Sequence, residues 1–111
     1  MIVKQSDAQK FGNEDFNIKE YTGSLGKTPV GISLVEIVGT VSERYYKTTT
    51  MRYLILESRG GHFMIEGKKH EVMGGDLVVI EPMKKYSVHG YIKAASVTTP
   101  PYKEEDGVYS R

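Results

Sequence analysis

Short apolar runs separated by turn residues dominate the middle of the chain. Between residues 53 and 91, four such runs are divided by segments rich in glycine, proline and charged residues, at positions 58–61, 66–68, 74–76 and 81–82. This rhythm is typical of consecutive antiparallel strands joined by tight turns. It therefore predicts a series of short strands over this part of the chain.

The flanking segments also predict strands. The predicted strands are residues 1–4, 16–21, 30–38, 41–46 and 91–97, with a turn at residues 12–15 and a loop at residues 22–29. Pro100 and Pro101 end the last of them, because proline cannot donate to a sheet ladder. About nine strands at regular spacing, without a helix of useful length, predict an all-β barrel or sandwich.

The segment at residues 30–38 is apolar at both alternating sets of positions. Val30, Ile32 and Leu34 form one set, and Val35 and Ile37 form the other. Since successive side chains point to opposite faces of a strand, both faces are expected to be buried. One face can line a barrel, and the other needs a cover. We therefore expect a homodimer in which a second copy covers that face.

The order of turns and apolar runs resembles the cupin family of small β-barrels. In that family a Gly-Asp turn, a hydrophobic strand and a proline turn precede a metal-binding histidine, and Gly75, Asp76 and Pro82 match this order. The resemblance implies an all-β fold: a single cupin-type, jelly-roll-like barrel of two packed antiparallel sheets. It implies a barrel domain over residues 1–99, followed by a C-terminal tail at residues 100–111.

The positions at which cupins carry metal ligands hold other residues here. Matching the two cupin motifs to this chain places Arg44, Tyr46, Thr50 and Tyr86 at those positions. None is a usual ligand for a divalent metal, since a phenol titrates near ~10 and binds metal only when deprotonated. The expectation is therefore no metal and no cofactor. The alternative is a metal-dependent cupin enzyme with displaced ligands drawn from the three histidines, at positions 62, 70 and 89.

Alternation along the predicted strand gives the candidate ligand-binding residues. Residues two apart share a face, so Arg44, Tyr46, Thr50 and Arg52 would point the same way if the strand is unbroken. The cupin resemblance directs them inward, toward Tyr86. Guanidinium groups pair with carboxylate or phosphate, and phenols donate hydrogen bonds or stack on rings. These five residues are predicted to bind a ligand in the barrel.

The resulting hypothesis is a metal-free cupin-like protein that binds a small polar or anionic molecule, such as a sugar derivative or a carboxylic acid. The alternative is a cofactor-independent isomerase, epimerase or lyase acting on a sugar-like substrate. In that enzyme Tyr46 or Tyr86 would move a proton, with a lowered pKa, and Arg44 or Arg52 would hold the developing anion. No His–carboxylate pair accompanies the tyrosines in the sequence, which favours binding over catalysis.

Composition and net charge limit the kinds of partner that the chain is expected to bind. The 111 residues suit one domain, and a formal net charge of +1 gives no field to attract nucleic acid or membrane. Cysteine is absent, which excludes disulfides and thiolate chemistry. No apolar run approaches the roughly 20 residues that span a bilayer, and the N-terminus does not match a signal peptide. A cytoplasmic protein with a small-molecule ligand is expected.

Overall fold

The computed structural model describes residues 1–110 and shows that antiparallel strands account for most of them. The nine strands found there are β1 (Gln9–Gly12), β2 (Phe16–Glu20), β3 (Gly31–Ile37), β4 (Thr40–Tyr46), β5 (Thr50–Ile65), β6 (Lys68–Glu71), β7 (Leu77–Ile80), β8 (Tyr86–Thr99) and β9 (Gly107–Tyr109). Three single turns of 3₁₀-helix lie at Gln5–Asp7, Gly23–Leu25 and Glu104–Asp106. The predicted all-β class is confirmed.

Two long strands, β5 and β8, hold the barrel together. They pair with each other over most of their lengths, and β8 also pairs with β3 and β4 while β5 pairs with β6 and β7. The remaining order runs β1-β2-β3-β8-β4-β9. The layers of the barrel are therefore linked into one curled hydrogen-bonded sheet, whose inner face encloses the core.

Residues 58–61 are a bulge and not the predicted turn. β5 continues through them, and its register against β8 shifts between Arg59 and His62. Gly60 has a φ of +65° and Gly90, opposite in β8, a φ of +90°. A Cβ at position 90 would lie 2.6 Å from the Gly60 carbonyl oxygen. Glycine at these positions permits a close backbone approach and lets the sheet bend without interruption.

The strand predicted at residues 1–4 does not form, and Met1 and Ile2 are exposed. β1 begins at Gln9 instead and forms a hairpin with β2 through the predicted turn at residues 12–15. In that turn the Asn13 side chain accepts a hydrogen bond from the Asp15 amide at 2.7 Å. The hairpin turn fixes the position of β1 more strongly than local apolar character does.

The Gly-Asp turn before β7 forms as the cupin resemblance implies. Gly75 has a φ of +97°, a conformation that favours glycine. The Asp76 carboxylate accepts a hydrogen bond from the Met73 amide at 2.9 Å, which closes the turn. After β7, the turn at Pro82 delivers the chain to Tyr86 at the start of β8.

The inner face of the sheet is tightly buried. Phe63, Ile92 and Ala94 are 0% exposed, and Ile55 is 1% exposed. These residues come from the two central strands, β5 and β8. The core therefore lies where β5 and β8 cross the middle of the sheet.

The outer face of β3, β8, β5 and β7 is apolar and exposed. Leu34, Ala95, Leu54 and Leu77 are consecutive cross-strand neighbours on this face. The large exposed members are Ile32, Leu54, Leu56, Leu77 and Val79, at 43–60% exposure. In the single chain only one face of β3 is therefore buried, that of Val35 and Ile37, contrary to the expectation of two buried faces.

No helix among residues 1–110 has the length and apolar character needed to cross a membrane.

Candidate functional site

A cavity of about 520 Å³ lies inside the curled sheet. Strands β1 to β5 and β8 line it, together with the segment that follows β8. This volume falls in the range of small-molecule sites. Arg44, Tyr46 and Tyr86 all contribute to its wall, so the structure brings together three of the five predicted ligand-binding residues.

Thr50 and Arg52 do not line the cavity, and this part of the prediction is wrong. β4 ends at Tyr46, and three residues intervene before β5 begins at Thr50. The interruption changes which residues point inward, so Met51 and Tyr53 face the cavity. Arg52 points to the outer face, where its Nη1 donates a hydrogen bond to Thr99 Oγ1 at 2.8 Å.

Arg44 is therefore the only arginine of the predicted set at the cavity. Its Nε donates to the Ser42 carbonyl at 3.0 Å, and its guanidinium lies 4.9 Å from the centre of the Tyr109 ring. Among the described residues it forms no ion pair with a carboxylate. One half-buried cation is present, and the predicted arginine pair is not.

Two buried phenols meet at the inner wall of the cavity. The hydroxyls of Tyr53 and Tyr86 are 2.9 Å apart, and both rings pack against Phe63. Burial raises the pKa of Tyr86 well above its ordinary value, and the neighbouring phenols raise it further. Burial likewise raises the pKa of Tyr53. Tyr86 is thus a neutral hydrogen-bonding group, and not the base with a lowered pKa that the catalytic hypothesis required.

Tyr46 connects the cavity to the C-terminal segment. The rings of Tyr102 and Tyr109 pack edge-on against it, with centroids 5.7 and 6.1 Å away. The Tyr102 and Tyr109 hydroxyls are 3.0 Å apart, and Tyr102 itself lines the cavity. Residues 102–109 therefore pack on the barrel of their own chain and complete one side of the cavity.

Asp106 anchors this segment. Its carboxylate accepts four hydrogen bonds, from the amides and hydroxyls of Thr48 and Thr49, at 2.8–3.1 Å. Burial alone would raise the pKa of Asp106, but these hydrogen bonds outweigh it and hold the pKa below its usual range. The anchor joins the C-terminal segment to the β4–β5 connection.

The cavity wall is ordered into polar and apolar rows across the strands. Cross-strand neighbours Gln9, Glu20, Ser33, Ser96 and Tyr53 form a continuous row, which we call the polar row. All five line the cavity. Two residues further along three of these strands, Phe11, Ile18 and Val35 form a second set of neighbours, the apolar row. Two residues of a strand span about 6.6 Å, so the two rows lie within one small ligand's length.

Glu20 brings a carboxylate into the polar row, and that carboxylate is already engaged. It accepts hydrogen bonds from the Thr22 amide at 2.8 Å, from the Thr22 hydroxyl and from the Gly23 amide at 2.7 Å. A carboxylate in the wall repels an anionic ligand. Together with the outward position of Arg52, it makes the cavity more suitable for a neutral ligand.

Sequence reasoning missed most members of the polar row. The sequence predicts strands that contain Tyr53, Ser96 and Glu20, but it does not identify these residues as part of the site. Ile92, Ala94, Ser96 and Thr98 are successive inward residues of β8, and all four are buried. The change from apolar to hydroxyl side chains along this one face was the available signal, but its meaning depends on cross-strand partners that lie far away in sequence.

The residues at the cupin metal positions do not fit a divalent cation. The Arg44 guanidinium has no free lone pair, and the Tyr86 phenol is neutral. Among residues 1–110, no group of three or more His, Cys, Asp or Glu side chains is placed to hold a metal ion. His62 stacks on His89 at 4.8 Å. In the β5–β6 hairpin His62 pairs with Glu71 and His70 pairs with Phe63, so His62 and His70 project from opposite faces of the sheet.

Comparison with known proteins supports the fold. No protein-family model matches the chain, and no curated protein matches it. Among solved structures, Streptomyces Pac13, a nucleoside dehydratase, is similar with a TM-score of 0.87 and 15% identity over 100% of this chain and 91% of Pac13. Variants of Pac13 have been solved with uridine.

Two further structures cover almost the whole chain. A protein from Planctomyces limnophilus has a TM-score of 0.88 and 14% identity over 98% of this chain and 96% of its own. Ectoine synthase from P. lautus has a TM-score of 0.80 and 13% identity over 100% and 91%. Pac13 and ectoine synthase are cupin-fold proteins of different function, so the predicted cupin fold is confirmed. At these identities the likeness establishes the fold alone.

Proposed function

We propose that this cupin-fold chain binds a small, neutral molecule that is hydroxylated at one end and planar or apolar at the other, such as a nucleoside. The observation that supports the proposal is the pair of rows in the cavity wall. Ser33, Ser96 and Tyr53 offer hydroxyls to a sugar, and Phe11 and Val35 offer apolar contact to a base. The uridine complex of a protein with the same fold makes uridine the first ligand to test.

A neutral ligand replaces the anionic one as the favoured class. With Arg52 on the outer face, Arg44 alone would hold an anion, while Glu20 in the wall opposes it. A sugar derivative therefore remains within the proposal, and a carboxylic acid is less well supported.

Calorimetric titration of the purified protein tests the proposal. Uridine should bind more tightly than ribose or uracil alone, because it engages both rows at once. Adding a phosphate, as in uridine monophosphate, should not strengthen binding. If inorganic phosphate binds as tightly as uridine, the proposal is contradicted and an anion site at Arg44 is indicated.

A matched pair of variants locates the binding site. Ser96→Ala removes a hydroxyl from the polar row and should weaken uridine binding by about 2- to 10-fold, the range expected for one hydrogen bond. Ser87→Ala is the control, because Ser87 lies on the same strand but bonds His89 away from the cavity. It should leave the affinity unchanged.

Catalysis on the same ligand is the second candidate. The neutral Tyr53–Tyr86 pair can supply a proton to a departing hydroxyl, as a dehydration requires. In that reaction a carboxylate of the cavity wall, Glu20, takes the carbon-bound proton, and the phenol proton joins the departing hydroxyl to form water. The proton on the carboxylate then returns to the phenolate, which restores both groups. Overnight incubation with uridine, followed by mass spectrometry, tests this candidate. A product lighter by one water that Tyr86→Phe fails to form would support it.

We also propose that the chain forms a homodimer through its apolar outer face. A two-fold interface joins the same patch on both copies, so an apolar patch is complementary to itself. At one end of the patch Lys93 lies between Glu36 and Glu57 in register. A second copy running in the opposite direction can therefore set lysine against glutamate. Large exposed apolar patches commonly mark interaction sites.

A further inference from the structure

One buried hydroxyl in the cavity wall has no protein partner. Thr98 is 4% exposed and lines the cavity, yet no described protein atom lies within hydrogen-bonding geometry of its Oγ1. The next residue, Thr99, shows the ordinary case, since its hydroxyl accepts a bond from Arg52. Leaving a hydroxyl buried without a partner is destabilising, so its presence in a cavity wall points to a ligand.

Glycine at position 31 leaves the room that this hydroxyl occupies. Gly31 is the cross-strand neighbour of Thr98 in β3. A Cβ at position 31 would lie 2.6 Å from Thr98 Oγ1 and 3.4 Å from the Pro101 Cα. Any larger residue would therefore collide with the Thr98 hydroxyl and crowd the segment after β8. Its φ is not in the left-handed region, so the glycine is required here for space and not for backbone conformation.

The position of Thr98 relative to the two rows defines what its hydroxyl can recognise. Along β8, Ala94, Ser96 and Thr98 are successive inward residues, with Ser96 in the polar row and Ala94 a neighbour of Val35 in the apolar row. Thr98 thus lies on the side of the polar row that is remote from the apolar row. A ligand whose planar part contacts the apolar row would present its most distant hydroxyl to Thr98.

We propose that Thr98 Oγ1 forms a subsite for the sugar hydroxyl that is furthest from the base. This inference rests on the proposed function, because it assigns one polar end of the same ligand. The hydroxyl of Thr98 can both donate and accept, which suits a ligand hydroxyl.

Titration of three proteins with a set of uridine analogues tests the subsite. The proteins are the wild type, Thr98→Val, which keeps the side-chain shape but lacks the hydroxyl, and Thr98→Ser, which keeps the hydroxyl. The ligands are uridine and its 2′-, 3′- and 5′-deoxy forms. Thr98→Val should weaken uridine binding by about tenfold, and Thr98→Ser by much less. One deoxy analogue should lack the ligand hydroxyl that pairs with Thr98. The wild type and Thr98→Val should bind that analogue with equal affinity.

The stability of the free protein provides an independent readout. Thr98→Val removes an unpartnered hydroxyl from the interior, so its melting temperature should rise by a few degrees while its affinity falls. A lowered melting temperature would show that the hydroxyl has a structural role, and would overturn the proposal. Gly31→Ala should displace the Thr98 hydroxyl and therefore weaken binding of uridine more than binding of the analogue that lacks the distal hydroxyl.

The outcomes separate this inference from the proposed function. Suppose that the wild type binds uridine and that Thr98→Val binds each of the four ligands as tightly as the wild type does. The subsite is then overturned and the proposed function stands. If the wild type binds none of the four ligands, the proposed function is overturned and the subsite with it.

Discussion

The two faces of the central sheet carry opposite combinations of polarity and exposure. On the inner face, Ser96 and Thr98 are polar yet buried; on the outer face, Leu54 and Leu77 are apolar yet exposed. Alternating residues of the same strands produce both faces, so strand propensity does not explain the difference. Buried polar groups and exposed apolar patches are the informative exceptions to ordinary burial. The buried polar groups support the proposal that the inner face binds a ligand. The exposed apolar residues support the proposal that the outer face binds a second copy of the chain.

The largest expected effect contrasts two adjacent residues of β5. Ile55 is 1% exposed and Leu54 is 45% exposed. Ile55→Ala should lower the free energy of unfolding by about 2–5 kcal/mol because it leaves a cavity in the core. Leu54→Ala should change it by about 0.5 kcal/mol or less at low protein concentration. Urea denaturation measures both. Equal losses at all concentrations would mean that the outer face is buried within the single chain.

The second prediction tests whether the apolar outer face is a dimer interface. Light scattering behind a sizing column should give about twice the 12.5 kDa chain mass for the wild type. The double variant Leu54→Glu and Leu77→Glu should give the single-chain mass, since it places charges at the centre of the patch. Its unchanged circular dichroism would show that the fold persists. A wild type that is monomeric at micromolar concentration would contradict the proposal.

A smaller effect is expected at the rim of the cavity. The hydrogen bonds to Asp106 favour its ionised form, so its folded pKa lies below its ordinary value of 3.8. The stability that it contributes is therefore fully present above about pH 3.8 and is lost as the pH falls through the lowered folded pKa. Hydrogen exchange should show smaller protection factors at residues 107–109 in that acidic range. Asp106→Asn should show part of this loss of protection at neutral pH, whereas Glu105→Gln, a neighbouring control, should not.

Local turn chemistry made much of the fold predictable from the sequence. The Gly75-Asp76 turn, the turn at residues 12–15 and the proline stop after β8 all depend on residues close in sequence. The glycines at positions 60 and 61 were misread because glycine serves turns and bulges equally well. Only the opposing Gly90, about 30 residues away, determines that this segment is a bulge.

The candidate site was less predictable because it depends on strand register. Arg44, Tyr46 and Tyr86 were placed correctly at the cavity, since each lies within a regular strand or directly after a recognisable turn. Thr50 and Arg52 were misplaced because the three-residue break after Tyr46 alters the alternation. Thr98 was missed because its significance arises from Gly31, which precedes it by more than 60 residues and meets it only in the folded sheet.

A crystal structure of the protein with uridine tests the central claim most directly. The account predicts that the ligand lies in the barrel cavity, with its sugar hydroxyls within hydrogen-bonding distance of Ser33, Ser96 or Tyr53. Its base should contact Phe11 and Val35. A ligand bound outside the cavity, or one whose base contacts the polar row while its sugar contacts the apolar row, would contradict the account.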